Sequence, residues 1–456
     1  MQTRSFRFLK TFLGRALASS STQNLNILRR KPYFIRREKS LLIIFGEYDV
    51  VVVGGGTAGV AAAVASARNG ANTLLIERYG FLGGTMTAGL VNPFMTFHAG
   101  KEQIIHGIFQ EIIDRLKALN GYDEKTKAFD PEMMKIVCDQ MVKEAGVKLM
   151  LHTCAIDAVM QSNIIRGVEV HNKSGRQIVL GKVIVDATGD GDIAVMAGAP
   201  YEKGRKEDGL TQPMTLNFRM GGVKVEKMPT REEMNKLFEE AKKRGEITIP
   251  RENLLWFFTT RKGEIHFNTT RVIKVDGTKV EDLTYAEIEA RRQMIELINF
   301  LKKNVPGFED AYLLMSGTQI GVRETRRIIG EYVMTEEDIL MARKFPDVIA
   351  RGSYPIDIHS PTGEGTIIKG PPPGASYDIP YRSLIPQKID NLIIAGKCIS
   401  ATHEAHAAIR IIPIVVAIGQ ASGTAAALSA KLNIPPRKLD ISLLQKTLKE
   451  QGANLR

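Results

Sequence analysis

The residues best suited to chemistry gather in Ser400–Arg410, SATHEAHAAIR, where His403, Glu404, His406 and Arg410 fall within eight positions. Imidazole exchanges a proton near neutral pH, and guanidinium is a permanent cation that binds carboxylates through paired N–H donors. A second group lies in GVRETRRIIGEY, where Arg323, Thr325 and Arg327 share one face if the segment is a strand. Two arginines on a pocket wall suit bidentate binding of a carboxylate. The alternative for them is an internal ion-pair network with Glu324 and Glu331. In YPIDIH, Asp357 and His359 also share a strand face, as an acid–base pair or as two groups that satisfy each other. His98, in NPFMTFHAG, is a further proton-handling candidate. Each histidine has a plainer alternative, capping backbone or packing neutral in a core.

The element that must position these groups is first legible in VVVVGGGTAG, Val50–Gly59. The pattern predicts a strand over 49–53, a tight glycine turn, a helix over 57–69 and a strand over 72–76, a βαβ unit. Gly54, Gly56 and Gly59 satisfy GxGxxG, and Glu77 follows the last of them by 18 residues. The first glycine permits the turn, the second lets backbone approach a pyrophosphate, and the third lets helix and strand pack closely. The phosphates then rest on the N–H groups at the helix start, Thr57 and Ala58, where the helix dipole is positive. Glu77 accepts hydrogen bonds from ribose hydroxyls, which favours an unphosphorylated ribose over NADP. The small residues of the helix, mostly Ala, Val and Ser, let it lie close on the sheet. A dinucleotide is expected here, and the turn alone leaves NAD and FAD open.

FAD is longer at its reactive end, so extra backbone is needed beyond the first turn. Three segments offer it: Gly83–Met86 in RYGFLGGTMTAG, Ala187–Asp192 in VDATGDGD, and Ala395–Gly419. An NAD-linked dehydrogenase shares the turn but leaves the last of these without a role.

The combination DVVVVGGGTAGVAAAVASARNGANTLLIERYGFLGG, VDATGDGDIAVMAG, GVRETRRIIGEYVMTEEDIL, YPIDIHSPTGEG and IPYRSLIPQKIDNLIIAGKCISATHEAHAAIR resembles the bacterial family of FAD-dependent oxidoreductases. That family is distantly similar to the flavoproteins of succinate dehydrogenase and fumarate reductase. The resemblance covers about residues 48 to 430 and implies FAD as cofactor, in a glutathione-reductase-type domain interrupted by a substrate domain. Carried over residue by residue, it implies that Gly54, Gly56 and Gly59 form the pyrophosphate turn, with Glu77 at the adenosine ribose and Arg78 near the adenosine half. It places Gly83, Gly84 and Thr85 along the ribityl and flavin, and Thr188, Gly189 and Asp192 at the strand end that closes over the cofactor. Gly396, Arg410 and Ile411 form the C-terminal flavin contact, where a helix N-terminus stabilises charge on reduced flavin. With flavin accepting hydride, the protein must supply an anchor and a proton carrier. His403, His406, Arg410, His359 and Arg323 are the candidates. Cys398 or a histidine attaching the flavin covalently is a remote alternative, and no Ser-His-Asp or Cys-His nucleophile is called for.

The expected fold class is α/β: a Rossmann-like FAD-binding domain, a parallel sheet in a three-layer ββα arrangement, interrupted by an α+β substrate domain. The boundaries are a basic extension over 1–46, FAD-binding parts over 47–202 and 385–434, a substrate or cap domain over 203–384, and a C-terminal tail over 435–456. Helices are expected over 101–119 and 130–145, and a long helix is expected to start at a Thr284/Glu287 capping box with Ile288, Ile295, Ile298 and Leu301 on one face. Thr335–Asp338 reads as another capped helix start, and the Pro/Gly-rich 361–374 as a loop or lid.

Composition narrows the function classes. Of the net charge of +12, residues 1–46 hold +9, ten Lys or Arg against Glu38 alone, so the remaining body is nearly neutral and a nucleic-acid groove is not expected. Cys138, Cys154 and Cys398 have neither CxxC nor CxH spacing, so no disulfide framework and no metal site is expected. No run of 18 apolar residues occurs, which argues against an integral membrane segment. Phe6, Leu9, Leu13 and Leu17 share a helical face among arginines and serines without acids, the composition of an organelle (mitochondrial) transit peptide. An upstream start codon and a cytoplasmic protein are the alternative. The sequence thus points to a soluble flavoprotein, an oxidoreductase acting on a small-molecule substrate with an unknown electron acceptor, homo-oligomer or not. A flavin-containing relay or scaffold subunit without its own substrate is the rival from another class.

Overall fold

Four successive valines, Val50–Val53, suit a strand buried on both faces, and they end β1 (Ile43–Val53). The glycine turn leads into α1 (Thr57–Arg68) and back to β2 (Thr73–Ile76). β2 lies parallel to β1, with Val50 opposite Thr73 and Val53 opposite Ile76. The computed structural model describes residues 43–455, so the helical face expected at Phe6–Leu17 and most of the basic extension lie outside the described residues. The sheet nevertheless begins inside the expected extension: Ile43 pairs with Gln177 and Ile44 with Ile178, before residue 47.

β3 (His98–Ala99) and β4 (Glu102–Gln103) form a small hairpin. They precede α2 (Ile108–Ala118) and α3 (Pro131–Glu144). The first of these helices starts at 108 rather than 101, because Gly107 at its N-cap has φ 60°. Asp130 caps α3 as the Asp–Pro pair predicts, its carboxylate accepting the N–H groups of Glu132 and Met133. β5 (Lys148–Met150) then joins the sheet beside β2. An antiparallel meander follows, β6 (Cys154–Gln161), β7 (Ile164–Asn172) and β8 (Gly175–Asp186).

After α4 (Asp192–Met196) and β9 (Tyr201–Lys203) the texture changes. β10 (Phe218–Gly221), α5 (Arg231–Lys243), β11 (Trp256–Phe258), β12 (Ile265–Phe267), α6 (Val280–Asn304) and β13 (Tyr312–Ser316) enclose a second hydrophobic core. Their four strands form an antiparallel sheet in the order β11-β12-β10-β13. α6 corrects the expected capping box: it begins a turn earlier, and the Thr284 hydroxyl donates back to Val280 O at 2.7 Å. Its expected face is also wrong in half, since Ile288 and Ile295 are 61% and 50% exposed. The buried stripe is Ala286, Ala290, Met294, Leu297 and Leu301, with Gln293 inside it.

β14 (Arg326–Ile328) pairs with β9, and α7 (Glu336–Leu340) carries the expected capping box of Thr335 and Asp338. β15 (Val348–Gly352) waits for β18 (Tyr377–Pro380), while β16 (Ile356–His359) and β17 (Thr366–Lys369) form a hairpin between them. The 361–374 stretch is therefore part hairpin rather than all loop. Ile328, Met334, Ile349, Tyr377 and Leu384 pack in the first core although the sequence assigns them to the inserted body.

β19 (Leu392–Ile394) returns to β8 in parallel, giving a parallel order β5-β2-β1-β8-β19 beside the meander. α8 (His403–Ile409) follows, then α9 (Ile412–Leu432) and α10 (Ile441–Glu450). α9 has the length and apolarity to cross a membrane, but 89% of its apolar window is buried inside the protein, as in a core helix. Its tight seat on α1 explains the small residues of both: a Cβ on Gly419 would lie 2.3 Å from Ala58 O, and one on Gly423 2.0 Å from Ala62 O. Any larger side chain there would wedge the helices apart.

Candidate functional site

Three segments converge on the start of α1. Gly54 has φ +102°, and a Cβ there would meet Ala187 O at 2.4 Å. A Cβ on Gly59 would overlap Gly54 O at 1.7 Å, so this position sets the closeness of helix and strand. Gly56 differs: only Gly84 Cα, 3.7 Å away, borders its missing side chain. The turn is thus closed at both ends and open in the middle, where backbone is bare. The second glycine cluster clasps it, with Gly83 N–H donating to Gly55 O at 2.9 Å and a Gly84 Cβ excluded by Gly56 Cα at 2.7 Å. Gly396, φ +112°, approaches from the C-terminal side, where a Cβ on it would lie 3.6 Å from Ala58 Cβ.

Polar groups around this cradle are of two kinds. Glu77 accepts Gly55 N–H at 2.6 Å and Tyr79 N–H at 2.9 Å, which leaves two of its lone-pair directions for other donors. No side chain caps the first turn of α1 or of α9. At the end of β8, Asp186 accepts the Thr188 hydroxyl at 2.7 Å and Ala194 N–H at 2.8 Å. Burial pushes its carboxyl up to about 6 in spite of those bonds. Asp192, expected at the cofactor, has its carboxylate taken by Arg326 at 2.6 Å. Asp190 is the carboxylate facing Lys397, 2.7 Å away. Arg78 donates to Gln319 Oε1 at 2.7 Å, which ties this strand end to the second body. Thr85 is exposed, and Ile411 is the N-cap of α9.

The candidate proton carriers separate clearly. His403 opens α8, with Thr402 as N-cap, and its Nδ1 lies 2.9 Å from Glu324 Oε1. Glu324 also holds Arg327 at 2.5 Å and accepts Gln212 N–H at 3.0 Å. A carboxylate accepts only, so Nδ1–H donates to it, and in the neutral imidazole Nε2 carries the lone pair. That Nε2 is buried and has no partner among the described residues. His406, on the same helix, also has an unpartnered buried nitrogen, Nδ1, but no carboxylate fixes its ring, and it is held neutral, first by burial and then by the charges of Arg327, Lys397 and Arg410. His359 accepts Arg271 Nη2 at Nδ1, 3.1 Å, and its Nε2 lies 3.6 Å from Asp357 Oδ2. Burial, then Arg323, Arg410, Arg251 and Arg271, keeps it neutral as well. Its base nitrogen is therefore occupied. His98 is partly exposed, and its backbone carbonyl accepts Ser353 Oγ.

The expected strand face of Arg323 and Arg327 is not formed, because only 326–328 is strand. The two diverge. Arg327 is spent on Glu324, Ala401 O and Gly204 O, the internal network of the alternative reading, although Glu331 goes instead to Arg437. Arg323 reaches Pro213 O at 2.7 Å and Thr215 Oγ1 at 2.5 Å and has no carboxylate of its own. It sits instead among Arg410, Arg251 and Arg271, whose like charges, after burial itself, lower its pKa well below the usual range. Arg410 donates to Asp357 O at 3.2 Å, and Tyr354 OH donates to the Asp357 carboxylate at 2.9 Å.

A model of the FAD-dependent oxidoreductases matches residues 49–448, most of the chain. The chain belongs to that family. FAD rather than NAD is its cofactor, and the bare turn at Gly56, the uncapped first turns and Glu77 fit it. Thiamine thiazole synthase of Methanococcus vannielii is 29% identical over 154 residues, which are 31% of this chain and 56% of that protein. The flavoenzyme thus spans just over half the length of such curated relatives. Dihydrolipoyl dehydrogenase of Trypanosoma brucei brucei is 46% identical over 57 residues, 12% of each chain. Among solved structures, a geranylgeranyl bacteriochlorophyll reductase-like protein from Thermoplasma acidophilum has a TM-score of 0.44 at 13% identity, covering 89% of this chain and 84% of that one. L-Proline dehydrogenase from P. horikoshii has a TM-score of 0.41 at 14% identity, covering 90% and 99%.

The flavoenzyme contains functional groups that motif reading misses. Arg251 and Arg271 are 3% and 1% exposed, and Gln212 and Glu324 are buried beside them. The only available signal is GVRETRR, which holds Glu324, and it looks like a surface charge run. Cys398 is buried, which pushes its thiol pKa up and makes it a poor nucleophile toward flavin.

Proposed function

We propose that the protein transfers a hydride between a small organic substrate and FAD, with His403 as the proton carrier. The observation that carries this reading is a histidine whose Nδ1–H is fixed by a buried carboxylate and whose Nε2 is free, on the helix that leads into α9. FAD, when bound, supplies a hydride acceptor or donor at its ring. Everything else is asked of this chain.

Gly54–Gly59 would receive the pyrophosphate on bare N–H groups, Glu77 the adenosine ribose, and Gly83–Thr85 the ribityl chain. The start of α9, at Arg410 and Ile411, would face the ring. A glutathione-reductase-type domain, with distant similarity to succinate dehydrogenase and fumarate reductase flavoproteins, is supported by the parallel order β5-β2-β1-β8-β19 and its meander. The bodies are joined at the reactive end by Asn217 Nδ2, which donates to Gly89 O at 2.8 Å. That bond keeps the floor of the second body on the flavin-side loop.

His403 Nε2 takes the substrate proton as its hydride leaves, or returns it in the opposite direction. Glu324 steadies the imidazolium that forms, and Arg327 keeps Glu324 from turning away. α8 sets His403 and Arg410 seven residues apart, about 10 Å along the helix, so proton carrier and anchor flank one small molecule. Buried walls exclude water from the transfer. For the test, His403→Asn should retain yellow, FAD-loaded protein, while anaerobic flavin reduction by its substrate slows by about 100-fold or more. Reduction at the normal rate would remove His403 from the reaction.

A further inference from the structure

The second body and the C-terminal segment bring four guanidiniums together. Arg251 comes from the loop after α5, Arg271 from the segment after β12, Arg323 from the segment before β14, and Arg410 from the junction of α8 and α9. Arg323 is acted on by Arg410, Arg251 and Arg271, and Arg251 by Arg271, and all four act on His359 between them. Two carboxylates answer them. Glu252 pairs with Arg271 at 3.1 Å, and Asp357 stands 3.6 Å from Arg410. Other nearby acids are already matched, Glu324 by Arg327 and Glu364 by Lys242. His359, in the middle, is neutral. The cluster therefore keeps a surplus of two positive charges.

Buried charge of one sign is costly unless something completes it. The hydrogen-bond pattern says where completion is missing. Arg251 Nη1, Arg410 Nε and Gln212 Nε2 are buried and have no partner among the described residues. All three are donors. Arg251 is 3% exposed and Gln212 1%, so these donors have no bulk water to fall back on. The surrounding bonds keep them from relaxing: Arg251 Nε is held by Asn253, and Gln212 Oε1 accepts His359 N–H. Backbone N–H and C=O of Arg271 are both held by Gln293 from α6, at 2.8 and 3.0 Å.

We propose that this cluster is the substrate anchor and that the substrate is a small dianion, a dicarboxylate or a phosphate monoester. The inference rests on the oxidoreductase reading for its place beside the flavin, and on the unpartnered donors for its chemistry. One anionic group is bound by Arg251 and Gln212, and the other by Arg410 and Arg323. Two planar forks suit carboxylates, and phosphate presents the same oxygens in a tetrahedron. A neutral sugar or an amine leaves the surplus charge unanswered and is rejected.

The test is calorimetric binding and thermal shift on the FAD-loaded full chain, read without turnover. The probes are malonate, succinate and glycerol 3-phosphate, with acetate as monoanion and glycerol as neutral control. The dianions should bind and raise Tm, acetate should bind about tenfold more weakly or worse, and glycerol should not register. Preference for succinate or malonate over glycerol 3-phosphate assigns the source as a dicarboxylate, and the reverse assigns a phosphate ester. Arg251→Gln should cut dianion affinity by about tenfold or more with flavin absorbance intact. Should Arg251→Gln unfold, Gln212→Leu, which removes the neighbouring unpartnered donor, reads the same loss. Equal binding of glycerol, or no dianion binding by yellow protein, overturns the assignment. Colourless protein that still binds the dianions would instead refute the flavin reading and leave the anion site standing.

Discussion

The cofactor cradle and the arginine cluster are built on opposite principles. The cradle is defined by side chains that are missing: Gly54, Gly59, Gly419 and Gly423 have no room for a Cβ, and Gly56 leaves backbone open between them. The cluster is defined by large side chains whose donors have not found acceptors. One region binds by shape and dipole and carries almost no free charge. The other holds charge in reserve. A fold can make the first from a single short motif, whereas the second requires several distant segments to arrive together.

The difference is sharpest within the glycine turn itself. Gly59→Ala would put a Cβ 1.7 Å from Gly54 O, and no flexible side chain is there to yield, so folded protein should be lost, by more than about 4 kcal/mol. A Cβ added at Gly56 meets only Gly84 Cα, at 3.7 Å, so Gly56→Val should fold with a nearly unchanged apo Tm and emerge colourless. Soluble yield, Tm and absorbance separate the two. A yellow Gly56→Val protein would show that the open position is not where the pyrophosphate rests.

Acid separates the regions by sign. His266, pushed down to about 3 by burial and then Arg219, and His359 and His406, both lowered, stay neutral in the fold but protonate in the unfolded chain below its ordinary range of about 6.5. Their contribution is present at neutral pH and is lost as pH falls. Asp186 in the cradle has its carboxyl raised to about 6, so its contribution runs the other way, complete at low pH and lost as pH rises through 6. Between pH 5 and 6 the unfolded chain therefore binds about two more protons, and stability should fall by roughly 2–3 kcal/mol per unit of acidification. Denaturant unfolding at stepped pH measures that slope. Asp186→Asn should steepen it and His266→Phe should flatten it; slopes unmoved by both would contradict the assignment.

A smaller effect probes the support of the cluster. Gln293→Leu leaves the backbone N–H and C=O of Arg271 unpaired inside α6's packing and should cost about 1–3 kcal/mol, seen as a lower Tm with the FAD complement unchanged. A parallel loss of FAD would mean that the two regions are less independent than their construction suggests.

Much of the first region was legible. The run VVVVGGGTAG places strand, turn and helix, and Glu77 does follow β2 directly, with its carboxylate on the turn, at Gly55 N–H. The errors follow from rules that burial overrides. Ile288 and Ile295 look like a core stripe by spacing, yet α6 turns its Ala286, Ala290 and Leu297 face inward, and its own Phe300 packs edge-on against Phe238 of α5. Arg323 and Arg327 look like a strand pair, yet the chain turns between them and sends one to the cluster and the other to Glu324. The 101–119 helix is cut short by a positive φ at Gly107 that no periodicity reveals.

By itself the sequence determined the βαβ unit, its glycine turn and the acid that closes it, because those depend on neighbours a few residues apart and on the absence of side chains. Only the tertiary structure decided that His403 has one nitrogen on a buried carboxylate and the other unpartnered, and that Arg251 and Arg271 join Arg323 and Arg410. The reason is physical: a charged side chain reads as solvated surface until folding buries it, and its meaning then lies in which distant groups remain to answer its charge.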